Sequence, residues 1–126
     1  MVAEIPYASP KTFHQKTIII QVETISAVKE PEAFLSIPEV DCFFVGAVDL
    51  SKSMGFEGDY SGPEVMQVLE QVVATIVAHQ KSAGFLVKEH DLQYWQSRGV
   101  NMLYSHVNDF LRIGARHWRQ LAKLGG

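Results

Sequence analysis

Two short apolar runs near the start of the chain each end on a carboxylate. "TIIIQVE" (17–23) sets three isoleucines and a valine before Glu23, and "VDCFFVG" (40–46) sets an aromatic and β-branched run shortly before Asp49. Continuous runs of this length and composition predict strands buried on both faces, as a parallel sheet requires. Two further strands are predicted at "FLV" (85–87) and "VNMLYS" (100–105). Helical patterning fills the gaps. "TISAVKEPEAFLSI" reads as helix, broken at Glu30 and restarted at Pro31. The clearest helix spans 63–84, with Pro63 at its first position, Gly84 just past its end and Val65, Val68, Leu69, Val72 and Ile76 on one stripe. "EHDLQYWQSRG" is a short helix closed by Gly99. The last helix begins near Asn108 or Asp109, either of which could cap it, and turns Phe110, Leu111, Gly114, Ala115, Trp118 and Leu121 inward. Residues 47–62 read as a long loop with about one helical turn.

Strand–helix alternation of this kind implies a right-handed parallel α/β arrangement of four β–α units. Four units are half of a (β/α)8 barrel, whose full form takes about 250 residues. The chain has 126 residues, too few to close such a barrel alone. It is therefore a piece of a longer enzyme, pairs with another half, or forms an open four-stranded sheet. Residues 1–16, with two prolines and no periodicity, are expected to form a loop or arm, and 17–126 a single half-barrel domain. Composition agrees with one globular domain, at 47% hydrophobic and 20% charged. A net charge of −3 without a basic block argues against nucleic acid. Cys42 is the single cysteine, which fits a reducing cytoplasm. No apolar run approaches the roughly 20 residues that cross a bilayer, so no membrane partner is expected.

In parallel α/β folds the working residues stand at the carboxyl ends of strands. Glu23 and Asp49 do so on consecutive strands, which lie about 4.8 Å apart, so both carboxylates could share one cation. Two carboxylates with open positions suit Mg2+ or Mn2+, which can grip a 2-oxo acid and stabilise its enolate. The plainer alternative is that both acids cap helices. Lys88 follows a strand and could be imagined as a Schiff-base lysine, but its acidic neighbours in "VKEHD" point to a solvated side chain. His106, after the fourth strand, could reach the active face or serve only as a helix-start neighbour. His14, His79, His90 and His117 share no ligand spacing and are expected at the surface. Trp95 and Trp118 are expected in the core, and "FEGDY" (56–60) in an exposed acidic loop.

"IIIQVET", "IPEVDCFFVGAVDLSKSMG", "GPEV" and "FLRIGAR" together resemble the C-terminal half of the HpcH/HpaI aldolases, metal-dependent pyruvate aldolases of the phosphoenolpyruvate/pyruvate barrel superfamily. The likeness covers residues 17–124 and is most specific at "QVET" and "VGAVDLSKSMG". It implies that Glu23 and Asp49 ligate a divalent metal, Mg2+ or Mn2+. It further implies that the backbone amides of Gly46, Ala47, Val48 and Asp49 cradle the pyruvate carboxylate, with Gln21 facing the substrate. The chain departs from the family in having Ala47 where proline is common, and "YSHVND" where a glycine–serine–acid pattern is common. The family's enolate-stabilising arginine and histidine–aspartate base belong to the first half of the barrel and have no counterpart here. The implied reaction is aldol cleavage of a 4-hydroxy-2-oxo acid to pyruvate and an aldehyde. The implied partners are a homo-oligomer, with exchange of the last helix, or an N-terminal half-barrel. Rival readings are a citramalyl- or malyl-CoA lyase and an inactive half-barrel that assists assembly.

Overall fold

In the computed structural model residues 16–122 are described, so His14 and nearly all of the expected arm lie outside them. The elements run β1 (Ile19–Val22), α1 (Ile25–Lys29), α2 (Glu32–Leu35), β2 (Cys42–Val45), α3 (Ala47–Ser53), α4 (Pro63–Ala78), β3 (Ser82–Leu86), α5 (Leu92–Ser97), β4 (Val100–Tyr104) and α6 (Val107–Leu121). The strands form one sheet in the order β1-β2-β3-β4, every neighbouring pair parallel. That is the half-barrel rhythm expected of four β–α units. Among the described residues no helix is long and apolar enough to cross a membrane.

The two faces of the sheet differ. On the helix-covered face Val22, Phe43, Val45, Ala83 and Phe85 are buried against Leu35 of α2, a stripe of α4 and Trp95 of α5. The α4 stripe comprises Val65, Leu69, Val72, Val73 and Ile76, an i, i+4, i+7 pattern that fits its 16 residues. Phe85 stacks on Trp95 with ring centroids 4.0 Å apart, and Phe34 tilts against Phe43 at 5.5 Å. Register places Ile19, Cys42 and Ser82 in one row of the opposite, inner face. Gln21, Phe44, Gly84 and Met102 form the next. This face is open on the β1 side, where Ile19 is 42% exposed and Gln21 is exposed. The first strand is thus buried on one face, not two. Its inner face would meet the strands opposite in a closed barrel, and no described residue takes their place.

Two other expectations are corrected. The fourth-position glycine of "KSAG" does not end α4. His79 caps that helix, Gln80 takes the left-handed turn at φ +58°, and Gly84 lies inside β3. A Cβ on Gly84 would sit 2.7 Å from Phe44 Cδ2 and 3.3 Å from the Cys42 sulfur, so the missing side chain makes room for neighbours across β2. The last helix also differs from expectation. It starts after His106, which makes no side-chain cap bond, and Asp109 pairs with Arg112 at 3.2 Å instead of capping. None of its residues is buried, and Trp118 is 72% exposed. Phe110, Leu111, Trp118 and Leu121 recur at helical spacing on an apolar stripe with no described partner.

His79 is half-buried, not a free surface residue. Its Nδ1 lies 2.8 Å from the Thr75 carbonyl and its Nε2 2.8 Å from Glu32, tying α2 to α4. The Thr75 carbonyl, then Glu32, raise its pKa above the ordinary histidine value. A raised folded-state pKa stabilises the fold fully below pH 6.5, the ordinary histidine value, and the benefit fades as pH rises through the folded pKa. His79→Gln is therefore expected to lower the melting temperature more at pH 6 than at pH 8.5. Equal losses at both pH values in thermal melts would contradict a charged His79.

Candidate active site

The carboxyl ends of the strands bring two of the anticipated acids onto neighbouring elements. Glu23 follows β1 directly. Thr24 then caps α1, its hydroxyl accepting from the Ala27 N–H at 3.3 Å, and the Ile25 N–H donates to Ser53 Oγ at 2.9 Å. Those bonds fix the turn that carries Glu23 against the end of α3. The sheet ladder continues one residue past β1 and β2, the Gly46 N–H donating to the Val22 carbonyl at 3.0 Å. Extending the register by that residue aligns Glu23 and Gly46 with the inner-face pair Leu86 and Tyr104. Glu23 packs onto Gly46 so closely that a Cβ there would lie 3.1 Å from Glu23 Cβ and 3.5 Å from Oε2.

Asp49 sits in the first turn of α3, an element the sequence suggested as only one helical turn in a loop. Its carboxylate accepts from Lys52 Nζ at 3.1 Å, and both side chains are more than half exposed. An exposed pair of this kind contributes little and is readily exchanged for another cation. The first α3 bond runs from the Leu50 N–H to the Gly46 carbonyl at 2.8 Å. The Gly46 N–H is already used in the sheet, so the first-turn amides of Ala47, Val48 and Asp49 are the ones left without an intrahelical partner. Ala47 is buried and Val48 exposed at this turn. Gln21 stands on the inner face one pleat below Glu23, beside Phe44.

The donor set suits a hard divalent cation with open positions. Glu23 and Asp49 could supply carboxylate oxygens, and among the described residues no three His, Cys, Asp or Glu side chains gather to enclose a metal. An ion held here would take its remaining ligands from water and substrate oxygens, which is how Mg2+ is commonly bound. Gly46 is what leaves the Glu23 carboxylate its place. If Glu23 is a metal ligand, Gly46→Ala is expected to push that side chain aside and weaken Mn2+ binding about tenfold, in the range seen when groups supporting a metal ligand are disturbed. Unchanged Mn2+ affinity in this variant would separate Gly46 from the site.

Lys88 is exposed, its backbone N–H bonded to Asp91 Oδ1. It borders a polar cleft of about 250 Å3 shared with Asp59, Tyr60, Ser61, His90 and Asp91, a solvated setting as expected. The Ser61 hydroxyl and then its N–H hold the Asp59 carboxyl below its usual range. His106 lies at the start of α6 with Nδ1 3.4 Å from the Tyr104 hydroxyl. Tyr104 and Phe44 were not among the anticipated site residues. Their signal was the alternation within "CFFV" and "VNMLY", which sends one of each pair of large side chains to the inner face.

A family model described as "HpcH/HpaI aldolase/citrate lyase" matches residues 1–115. The chain belongs to the HpcH/HpaI aldolase/citrate lyase family. It is 41% identical over 69 residues to a 2-keto-3-deoxy-L-rhamnonate aldolase of Klebsiella pneumoniae, covering 55% of this chain and 26% of the relative. It is 34% identical over 88 residues to a 4-hydroxy-2-oxo-heptane-1,7-dioate aldolase of Escherichia coli, covering 70% and 34%. A solved HpcH/HpaI family protein from Burkholderia cenocepacia J2315 superposes with a TM-score of 0.74 at 28% identity, over 86% of this chain and 43% of that one. The chain therefore spans under half the length of these family members, and its four β–α units form part of an α/β barrel.

Proposed function

We propose that this chain carries the metal- and pyruvate-binding part of a class II aldolase that reversibly cleaves a 4-hydroxy-2-oxo acid to pyruvate and an aldehyde. The observation that carries the reading is the packing of Glu23 onto Gly46, which sets one carboxylate beside the α3 turn bearing Asp49 at the ends of adjacent parallel strands. In this reading Glu23 and Asp49 hold Mg2+ or Mn2+, and the amides of Ala47, Val48 and Asp49 receive the substrate carboxylate, with Gly46 setting the close approach. Gln21 orients the keto end from below. The bound metal, when present, supplies Lewis-acid stabilisation of the enolate oxygen. Aldolase relatives and the family model support the reaction class.

The uncovered surfaces supply the partners of this reading. The inner sheet face and the free edges of β1 and β4 fit the remaining four β–α units, whether on the same polypeptide or another. The apolar stripe of α6 fits a second copy, in an oligomer. The test is deuterium exchange into the pyruvate methyl group, with Mn2+ and with chelator. Exchange that requires metal supports the reading. A folded chain that binds neither Mn2+ nor pyruvate would leave an inactive half-barrel instead.

A further inference from the structure

Above β3 the inner face carries an aromatic shelf that the metal site does not use. Gly84 gives Phe44 the space to lean over β3, and the Tyr104 ring meets Phe44 edge-on with centroids 6.1 Å apart at 80°. Phe44 belongs to β2 and Tyr104 to β4, so these rings touch across the strand between them. Tyr104 occupies the same row as Glu23 and Gly46, at the mouth of the half-barrel. Three strand spacings separate Tyr104 from Glu23, about 14 Å along the sheet. Phe44, leaning over Gly84, closes part of that gap and meets the Tyr104 ring on the β4 side. The ring of His106 stands edge-on to Tyr104 at 5.3 Å, and its Nδ1 lies 3.4 Å from the hydroxyl, holding the phenol at the rim. The third member of the row between Gly46 and Tyr104 is Leu86, which offers no polar group.

We infer that Tyr104 is a specificity-determining residue whose hydroxyl hydrogen-bonds the C4 hydroxyl of the substrate, the oxygen that belongs to the aldehyde in the reverse direction. This rests on the aldolase reading above. On that reading pyruvate sits between Glu23 and the α3 turn, and its methyl carbon would extend along the open inner face. The next carbon and its oxygen then approach the Phe44–Tyr104 shelf, where the phenol is the neutral hydrogen-bonding group at the correct level. A site built to bond a substrate hydroxyl discriminates against the analogue that lacks it.

The test compares two ligands that differ only in that hydroxyl, 4-hydroxy-2-oxobutanoate and 2-oxobutanoate, by calorimetric titration of the full chain with Mg2+. In Tyr104→Phe, which keeps the ring contact with Phe44, the preference for the hydroxylated ligand is expected to fall about tenfold. An unchanged preference would overturn the assignment, as would an equal weakening of both ligands, which would mark a packing role. Binding of 2-oxobutanoate by the unaltered chain is the reference. Its absence in folded protein would overturn the aldolase reading and this inference together, whereas its presence with an unchanged ratio would overturn this inference alone.

Discussion

Phe85→Ala is expected to destabilise the chain by about 3–5 kcal/mol, the range for removing a large core aromatic. Phe85 is fully buried, lies on the central strand β3 and stacks on Trp95 at 4.0 Å. Truncation loses the transfer energy of the ring, leaves a cavity between β3 and α5, and forfeits an aromatic pair that adds about 0.5–1.5 kcal/mol beyond burial. Among the described residues the helices pack on one face of the sheet, and Phe85 draws its packing from that side. Whole domains are commonly stable by only about 5–15 kcal/mol, so the variant should lose a large share of its stability. Urea denaturation followed by tryptophan fluorescence checks this. At typical m values of about 1–3 kcal/mol/M, a midpoint within about 0.5 M of the original would show that the β3–α5 contact is not a main support.

The second large effect concerns the site. Glu23→Gln replaces a carboxylate by a neutral amide of the same shape beside Gly46, so the turn between β1 and α1 should keep its bonds to Ser53 and Ala27. Hard divalent ions depend on anionic oxygen ligands, and a site with two carboxylates loses half its charge. Mn2+ affinity is expected to fall about 100-fold or more, above the roughly 10–100-fold typical of groups that merely support a ligand. The melting temperature without metal should move little, because Glu23 stands at the rim of the sheet. Isothermal titration with Mn2+ reads the first effect and calorimetric melting the second. A variant that melts normally and binds Mn2+ as before would remove Glu23 from the ligand set.

Much of the fold is visible in the residue pattern, for reasons that also explain the errors. Apolar runs at 17–23 and 40–46 and the α4 stripe mark elements because periodicity reflects local geometry. The acids stand out because they close those runs at the ends where parallel folds do their chemistry. Periodicity says nothing about where a partner surface comes from. The α6 stripe of Phe110, Leu111, Trp118 and Leu121 is as clear as that of α4, yet α6 buries no residue here, while α4 buries five. The isoleucines of β1 likewise suggest burial on both sides, and the inner face shows what half a barrel leaves open. Gly84 resembled a helix stop because glycine serves turns and close approaches alike; only the position of Phe44 separates the two uses. His79 could not be recognised as a clasp, because its partner Glu32 lies 47 residues away on another helix. Tyr104 was hidden by distance as well, since Phe44 reaches it across β3.

The aldolase reading requires a ternary complex of chain, metal and pyruvate at the ends of β1 and β2. Electron paramagnetic resonance of free Mn2+, titrated with the chain in the presence and absence of pyruvate, tests it. The expected result is one bound Mn2+ per chain, held several-fold more tightly with pyruvate and lost in the Glu23→Gln, Asp49→Asn double variant. Folded protein that leaves Mn2+ free, or binds it equally with pyruvate absent and with both acids removed, would contradict the assignment.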